Sequence, residues 1–262
     1  MLLPLSVNRA AVQTPTAKAA VQASTPKTGR TCSSPGLFVS DALDGWMLPE
    51  SERHNGLLVK RPFNGQWEGL HAEIEEALER FGPSYSMKID VMNGSPRLLS
   101  KRLPASIQAL LDAAALPTAL SAQIHSDACN IGQVIGTMCP FAPSLELRLE
   151  VFGENSCARW HQDHYAGRAI VSYTGEVGTE YTSDANVDFW ELEHCGNNKC
   201  IIRDTGEVRA VDTGDILFIK GKKYPTGAKG LVHKSPEKRY HSDGHIVHRL
   251  LLKIDVPPPA PW

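Results

Sequence analysis

Leu145-Glu146-Leu147-Arg148-Leu149-Glu150-Val151 sets apolar and charged side chains in strict alternation. Successive side chains of a strand face opposite ways, so this period of two predicts a half-buried β-strand with one face in a core. The residues before it follow another period. Trp67, Leu70, Ile74, Leu78 and Phe81 recur at spacings of three and four with acids between them, which predicts a helix ended by Gly82-Pro83. A second helix is expected from Pro104 to about Leu116, with Ile107, Leu110 and Leu111 on one face. Pro117 ends it, because proline disfavours the helical conformation in the residue before it. A third runs from about Thr118 into Ile135 on Leu120, Ile124, Ile131 and Ile135. Residues 57–62 suggest a short strand ahead of the helices, and 41–143 reads as mainly helical.

Beyond Val151 the strand signals continue. Segments 158–165, 169–173, 187–191, 199–203, 208–211, 215–220, 231–233 and 248–256 each read as a short strand. Gly175, Gly178, Gly196-Asn197-Asn198 and Asp204-Thr205-Gly206 supply turns between them. So many short strands predict a β-sandwich or barrel, such as the jelly roll of cupins. The fold class expected is therefore α+β: a jelly-roll barrel over 144–262, buttressed by the helical 41–143.

Residues 1–40 are different in kind. They are rich in Ala, Ser, Thr and Pro, with two Gln, carry Arg9, Lys18, Lys27 and Arg30, and show no acid before Asp41. Such a segment is expected to be a disordered tail or an organellar transit segment, giving a cytoplasmic or a mitochondrial or plastid location respectively. The 262 residues are 42% hydrophobic and 21% charged with a net charge of -2. That balance is ordinary for a soluble domain and offers no basic tract for nucleic acid. No apolar run is long enough for a membrane span. Dispersed cysteines in a chain of this size read as reduced thiols in an intracellular compartment.

The chemistry concentrates in Cys157-Ala158-Arg159-Trp160-His161-Gln162-Asp163-His164-Tyr165. In an extended segment, residues i and i+2 share a face, so His161 and Asp163 project together while Trp160 and Gln162 turn away. An imidazole and a carboxylate so placed are two legs of a facial metal site. His233 is the best-placed third ligand, in a short apolar segment that ends in a turn and follows the turn-then-strand run 212–219. His194, His241 and His245 sit in polar, loop-like surroundings. Two histidines and one carboxylate leave positions open on the ion, an arrangement suited to Fe(II) oxygenases. The competing reading is a hydrogen-bonded His161–Asp163 pair that merely satisfies buried polar groups. Cys195 and Cys200 form one further thiol pair, weak as a zinc signal without a partner pair.

Arg249 opens a strand otherwise dominated by leucine and isoleucine, and a guanidinium there calls for an anionic partner. His161-x-Asp163, a distal His233 and then Arg249 together resemble the Fe(II)/2-oxoglutarate-dependent oxygenases. That resemblance implies a double-stranded β-helix, iron ligation by His161, Asp163 and His233, and 2-oxoglutarate as co-substrate with its distal carboxylate on Arg249. The gap from His233 to Arg249 is long for that superfamily, which keeps Arg168 and Lys220 as rival anchors. The run Cys157-x-x-x-His161-x-Asp163-His164-x-x-x-Arg168, with Tyr173-Thr174-Gly175 and Gly178-Thr179-Glu180, also resembles a family known only as a domain of unknown function. The expected activity is a dioxygenase acting on a small molecule or a protein side chain. A metal enzyme of cupin type without 2-oxoglutarate and a non-catalytic binding barrel remain as alternatives. Residues 184–198 and 239–245 are the candidate lids.

Overall fold

The computed structural model describes residues 32–34, 36–63, 69–81, 84–90, 96–154, 156–225 and 228–258. Residues 1–31, Trp67, and the Gly82-Pro83 stop lie outside them. Eleven strands and five α-helices are described. A short N-terminal group, β1 (Cys32–Ser34), β2 (Leu37–Ser40) and β3 (Gly56–Val59), precedes α1 (His71–Glu79) and β4 (Ser84–Asp90). Then come the long helices α2 (Pro96–Ala114) and α3 (Thr118–Met138), followed by β5 (Ser144–Phe152), β6 (Gly167–Ser172) and β7 (Val177–Tyr181). Two short helices, α4 (Phe189–His194) and α5 (Asn198–Ile201), lead to β8 (Arg209–Asp212), β9 (Ile216–Lys220), β10 (His233–Lys234) and β11 (Arg249–Val256).

One sheet runs β1-β2-β3-β9-β6-β11-β5-β4 and a smaller one β10-β7-β8. From β5 onward the chain alternates between the two: β5 large, His161 bridged to the small sheet, β6 large, β7 and β8 small, β9 large, β10 small, β11 large. That alternation is jelly-roll-like and makes the molecule α+β, as expected. The period-two pattern of β5 is realised in full. Leu145, Leu147 and Leu149 enter the core shared with the helices, while Glu146, Arg148 and Glu150 face the other way. β11 is buried on both faces: Leu250, Leu252, Ile254 and Val256 meet the helices, and Leu251 joins Ile170, Leu217, Ile219 and Tyr181 in a second core between the sheets.

The helices lock to the sheet through one polar device. Asp127 stands on the buried face of α3 and accepts both Arg61 Nη1 (2.6 Å) and Nη2 (2.7 Å), the Tyr173 hydroxyl (2.8 Å) and Gln123 Nε2 (2.9 Å). A buried carboxylate so fully engaged is tolerable where an unpaired one would be very costly.

Several local expectations are corrected. The β2 strand is fully buried, so the ordered fold begins before residue 41 and the N-terminal strands belong to the large sheet. The second helix starts at Pro96, not Pro104, leaving Pro104 inside it. Segments 187–191 and 199–203 are not strands. Asp188 caps α4 by accepting from the backbone of Trp190 and Glu191, and Asn197 caps α5 in the same way. Segment 158–165 contributes only the His161 bridge, and β4 and β7 were not anticipated. Residues 184–198, expected as a lid, pack on their own small core of Val187, Leu192, Ile201, Ile202, Trp160 and Val232. No helix among the described residues is long and apolar enough to cross a membrane.

Candidate metal centre

His161 and His233 face each other across an antiparallel bridge, each accepting the other's backbone N–H at 3.0 Å. Directly paired residues project side chains to the same side, and the two imidazole centroids lie 4.4 Å apart. Asp163 follows two residues after His161 and returns to that side. Its carboxylate oxygens stand 3.9 Å from His161 Nε2 and 3.8 Å from His233 Nε2. The three groups offer ligand atoms all within 4.8 Å of one another.

The backbone around them is pinned from several sides. Ser235 N–H donates to Cys157 O, and Gln162, turned away from the site as expected, donates to the Lys229 (2.8 Å) and Gly230 (2.7 Å) carbonyls. Asn198, the first residue of α5, accepts from Trp160 N–H (3.0 Å) and donates to Ala158 O (2.7 Å). At Gly221 the chain passes so close that a Cβ would meet Tyr165 O at 2.0 Å and Asp163 O at 3.0 Å. Only glycine permits that approach.

Tautomers follow from the partners. His161 Nδ1 lies 2.7 Å from Arg159 O, and His233 Nδ1 lies 3.0 Å from Leu231 O. A carbonyl only accepts, so each Nδ1 carries a proton and each Nε2 is turned toward the carboxylate, as a lone-pair donor when the ring is neutral. Burial pushes the His233 pKa down to about 4, outweighing the attraction of Asp163, and keeps the ring neutral. Both Nε2 atoms thus face the carboxylate at distances too long for hydrogen bonding. A simple His–Asp hydrogen-bonded pair does not have this form. The donor set of two imidazole nitrogens and one oxygen fits a divalent transition metal.

Arg168, on β6, donates through Nη1 to both Asp163 oxygens (3.2 and 3.1 Å), while Nε and Nη2 engage Asp255. Burial alone would lower its pKa; the hydrogen bond to Asp255 and the charges of Asp163 and Asp255 more than offset this and raise it. Its guanidinium is therefore committed to orienting the Asp163 carboxylate, as partners of metal ligands do. Lys220 is placed on the helix side of β9. It donates to Ser51 O (2.9 Å) and Glu52 O (3.1 Å), away from the three-residue cluster. As a carboxylate anchor beside the cluster it is ruled out by the strand's alternation.

Arg249 stays on the inter-sheet face, with Leu251, Lys253 and Asp255 following at every second residue of β11. It is 9% exposed, and its Nη2 has no hydrogen-bond partner among the described residues. Burial lowers its pKa to about 10, with only Glu180 pulling the other way. The free space beside it is ≈ 20 Å³, room for about one water. Gly175 (φ +89°) turns the chain against it, where a Cβ would meet Arg249 Cγ at 2.6 Å. Between Arg249 and Asp255 sits Lys253, buried, paired with Glu150 and 4.2 Å from the Phe152 ring centroid. Sequence reading passed over Lys253, although its place two and four residues from Leu251 and Arg249 puts it on the same face.

The curated proteins hold no match to the chain. Among solved structures, a rice dioxygenase for auxin oxidation aligns at 12% identity and a TM-score of 0.43, covering 80% of this chain and 75% of that one. The Arabidopsis thaliana dioxygenase for auxin oxidation in its 2-oxoglutarate complex aligns at 9% and 0.41, covering 83% and 86%. A Pseudomonas putida prolyl-4-hydroxylase aligns at 11% and 0.39, covering 82% and 96%. Similarities of this size leave the site to be read from the residues of this chain. The sequence itself matches a family model over residues 67–255, which takes in all of α1, ends at the penultimate residue of β11 and includes every residue of the His161–Asp163–His233 cluster. The chain belongs to the family described as a protein of unknown function, DUF1826.

Proposed function

We propose that this protein is a non-haem Fe(II)-dependent dioxygenase on a double-stranded β-helix, using 2-oxoglutarate to oxidise a small molecule or a protein side chain. The observation that carries this reading is the converging set of two Nε2 atoms and one carboxylate, a donor set that fits Fe(II) and leaves an octahedral ion open on one side. Bound there, iron would supply the oxygen-activating redox chemistry and 2-oxoglutarate the electrons. His161 and His233 would ligate through Nε2, held by their Nδ1–H bonds to Arg159 and Leu231 carbonyls. Asp163 would ligate through a carboxylate whose orientation Arg168 maintains. Arg249, buried and incompletely paired, would hold the distal carboxylate; Lys253 is the other cation that β11 turns to this face, already neutralised by Glu150.

A second reading, a metal enzyme of this fold that uses no 2-oxoglutarate, is favoured by the small space at Arg249. The two separate in one experiment. Fe(II) and then 2-oxoglutarate are added to the protein without oxygen while visible absorption is recorded, alongside His161→Ala, Arg249→Ala and Lys253→Ala. The proposal expects a metal-to-ligand charge-transfer band that needs both additions, vanishes in His161→Ala and needs a far higher 2-oxoglutarate concentration in Arg249→Ala. A band unaffected by Arg249→Ala but weakened in Lys253→Ala moves the anchor. Metal binding through His161 without any band supports the second reading, and no metal binding removes both.

A further inference from the structure

A second cluster of ligating side chains lies outside this centre. Glu191 and Cys195 are one helical turn apart at the end of α4, where Cys195 N–H donates to Glu191 O. Gly196, with φ +72°, reverses the chain, and the Asn197 cap starts α5 so that Cys200 returns to the same point. The Glu191 carboxylate and the Cys195 and Cys200 sulfurs lie within 4.8 Å of one another. Both cysteines are exposed and neither forms a disulfide. In the sequence the two thiols lacked a further ligand; folding supplies it from Glu191.

We infer that Glu191, Cys195 and Cys200 form a zinc(II) site, with two thiolates and one carboxylate as ligands and a fourth tetrahedral position open to water. Zinc favours tetrahedral sets of thiolate with nitrogen or oxygen ligands, whereas the centre at His161 has two nitrogens, one oxygen and no sulfur. The two sites therefore select different metals. Zinc takes thiolates, so the Cys195 and Cys200 thiol protons leave as the ion binds. His194 stands outside the cluster: its Nδ1 bonds Trp190 O (2.8 Å) and its ring stacks on the Trp190 indole. The ion would tie the end of α4 to α5, the helix whose Asn198 grips the backbone of Ala158 and Trp160 just before His161. It is thus placed to stiffen the support of one ligand of the other centre.

Cobalt(II) reports this chemistry directly, because thiolate ligands give near-ultraviolet charge-transfer bands that nitrogen and oxygen ligands do not. The whole protein, reduced with a phosphine, is titrated with cobalt(II) and then with zinc(II), as are the Cys195→Ser, Cys200→Ser, Glu191→Gln and His161→Ala proteins. The expected result is one equivalent of thiolate-bound cobalt, displaced by zinc, retained in His161→Ala, weakened in Glu191→Gln and lost in each serine variant. Both cysteines are exposed, so circular dichroism of the serine variants should match the native protein. Absence of the band in the reduced native protein, or its survival in Cys200→Ser, overturns the inference. A thiol pair that only closes to a disulfide on oxidation would give the first of those results.

Discussion

Lys220 is the residue whose surroundings depart furthest from its chemistry. It is 2% exposed, donates to two carbonyls and packs 5.2 Å from the Tyr224 ring centroid, with no acid among the described residues bonded to it. Burial lowers its pKa from 10.5 to about 8, against a smaller upward pull from Glu52. Between those values the unfolded chain binds more protons than the folded one, so this group makes stability rise with pH from about 8 to about 10.5 and depresses it below 8. The shift corresponds to roughly 3 kcal/mol. Burial also raises Cys139 to about 12 and pushes Tyr224 up, and these neighbours act in the opposite direction at higher pH. Comparison with Lys220→Met isolates the lysine. Urea unfolding of the two proteins at pH 7 and pH 10 should show the native protein gaining about 3 kcal/mol relative to the variant; a difference independent of pH would mean that Lys220 is solvated. From sequence, Lys220 read as a rival anchor because it ends an apolar strand. Only the face it occupies decided against that.

At the scale of elements, α5 matters most for the centre although it is four residues long. Asn198→Ala should leave the sheets intact while freeing Ala158 and Trp160. Metal affinity at His161 should then fall by about 10–100-fold, the usual effect of losing a group that orients a ligand. Titration with Fe(II) under nitrogen checks this, and an unchanged affinity would show that the Ser235–Cys157 and His161–His233 bonds suffice. The elements also show how far pattern reading reached. β5, β6, β8, β9 and β11 were legible because alternation or a continuous apolar run marks a strand with one or both faces buried. Segments 187–191 and 199–203 misread because Val187, Phe189, Ile201 and Ile202 favour strands in general, while the Asp188 and Asn197 caps acted locally to start helices. β7 was missed because Val177-Gly178-Thr179-Glu180-Tyr181 has little apolar content and is held by its partners β8 and β10.

For the whole molecule, the N-terminal strands join the large sheet from far away in sequence. Leu37 and Phe38 of β2 are buried, and β3 links them to β9. A chain beginning at residue 41 should therefore be less stable than one beginning at residue 32 by several kcal/mol, since each buried side chain of this size contributes about 1.5–3 kcal/mol. Thermal unfolding of the two truncated proteins tests this, and equal midpoints would make β2 an accessory rather than part of the core. Local sequence by itself determined the class of the fold, the long helices α2 and α3, most strands of the large sheet and the His161–Asp163 pair, because periodicity and i, i+2 geometry act between near neighbours. Tertiary structure alone decided the rest. The pairing of His161 with His233, the commitment of Arg168 to Asp163 and Asp255, the isolation of Lys220 behind β9 and the meeting of Glu191 with two cysteines all depend on which strands and helices lie side by side. Contacts between residues distant in the chain are set by packing of the whole, and no local pattern records them.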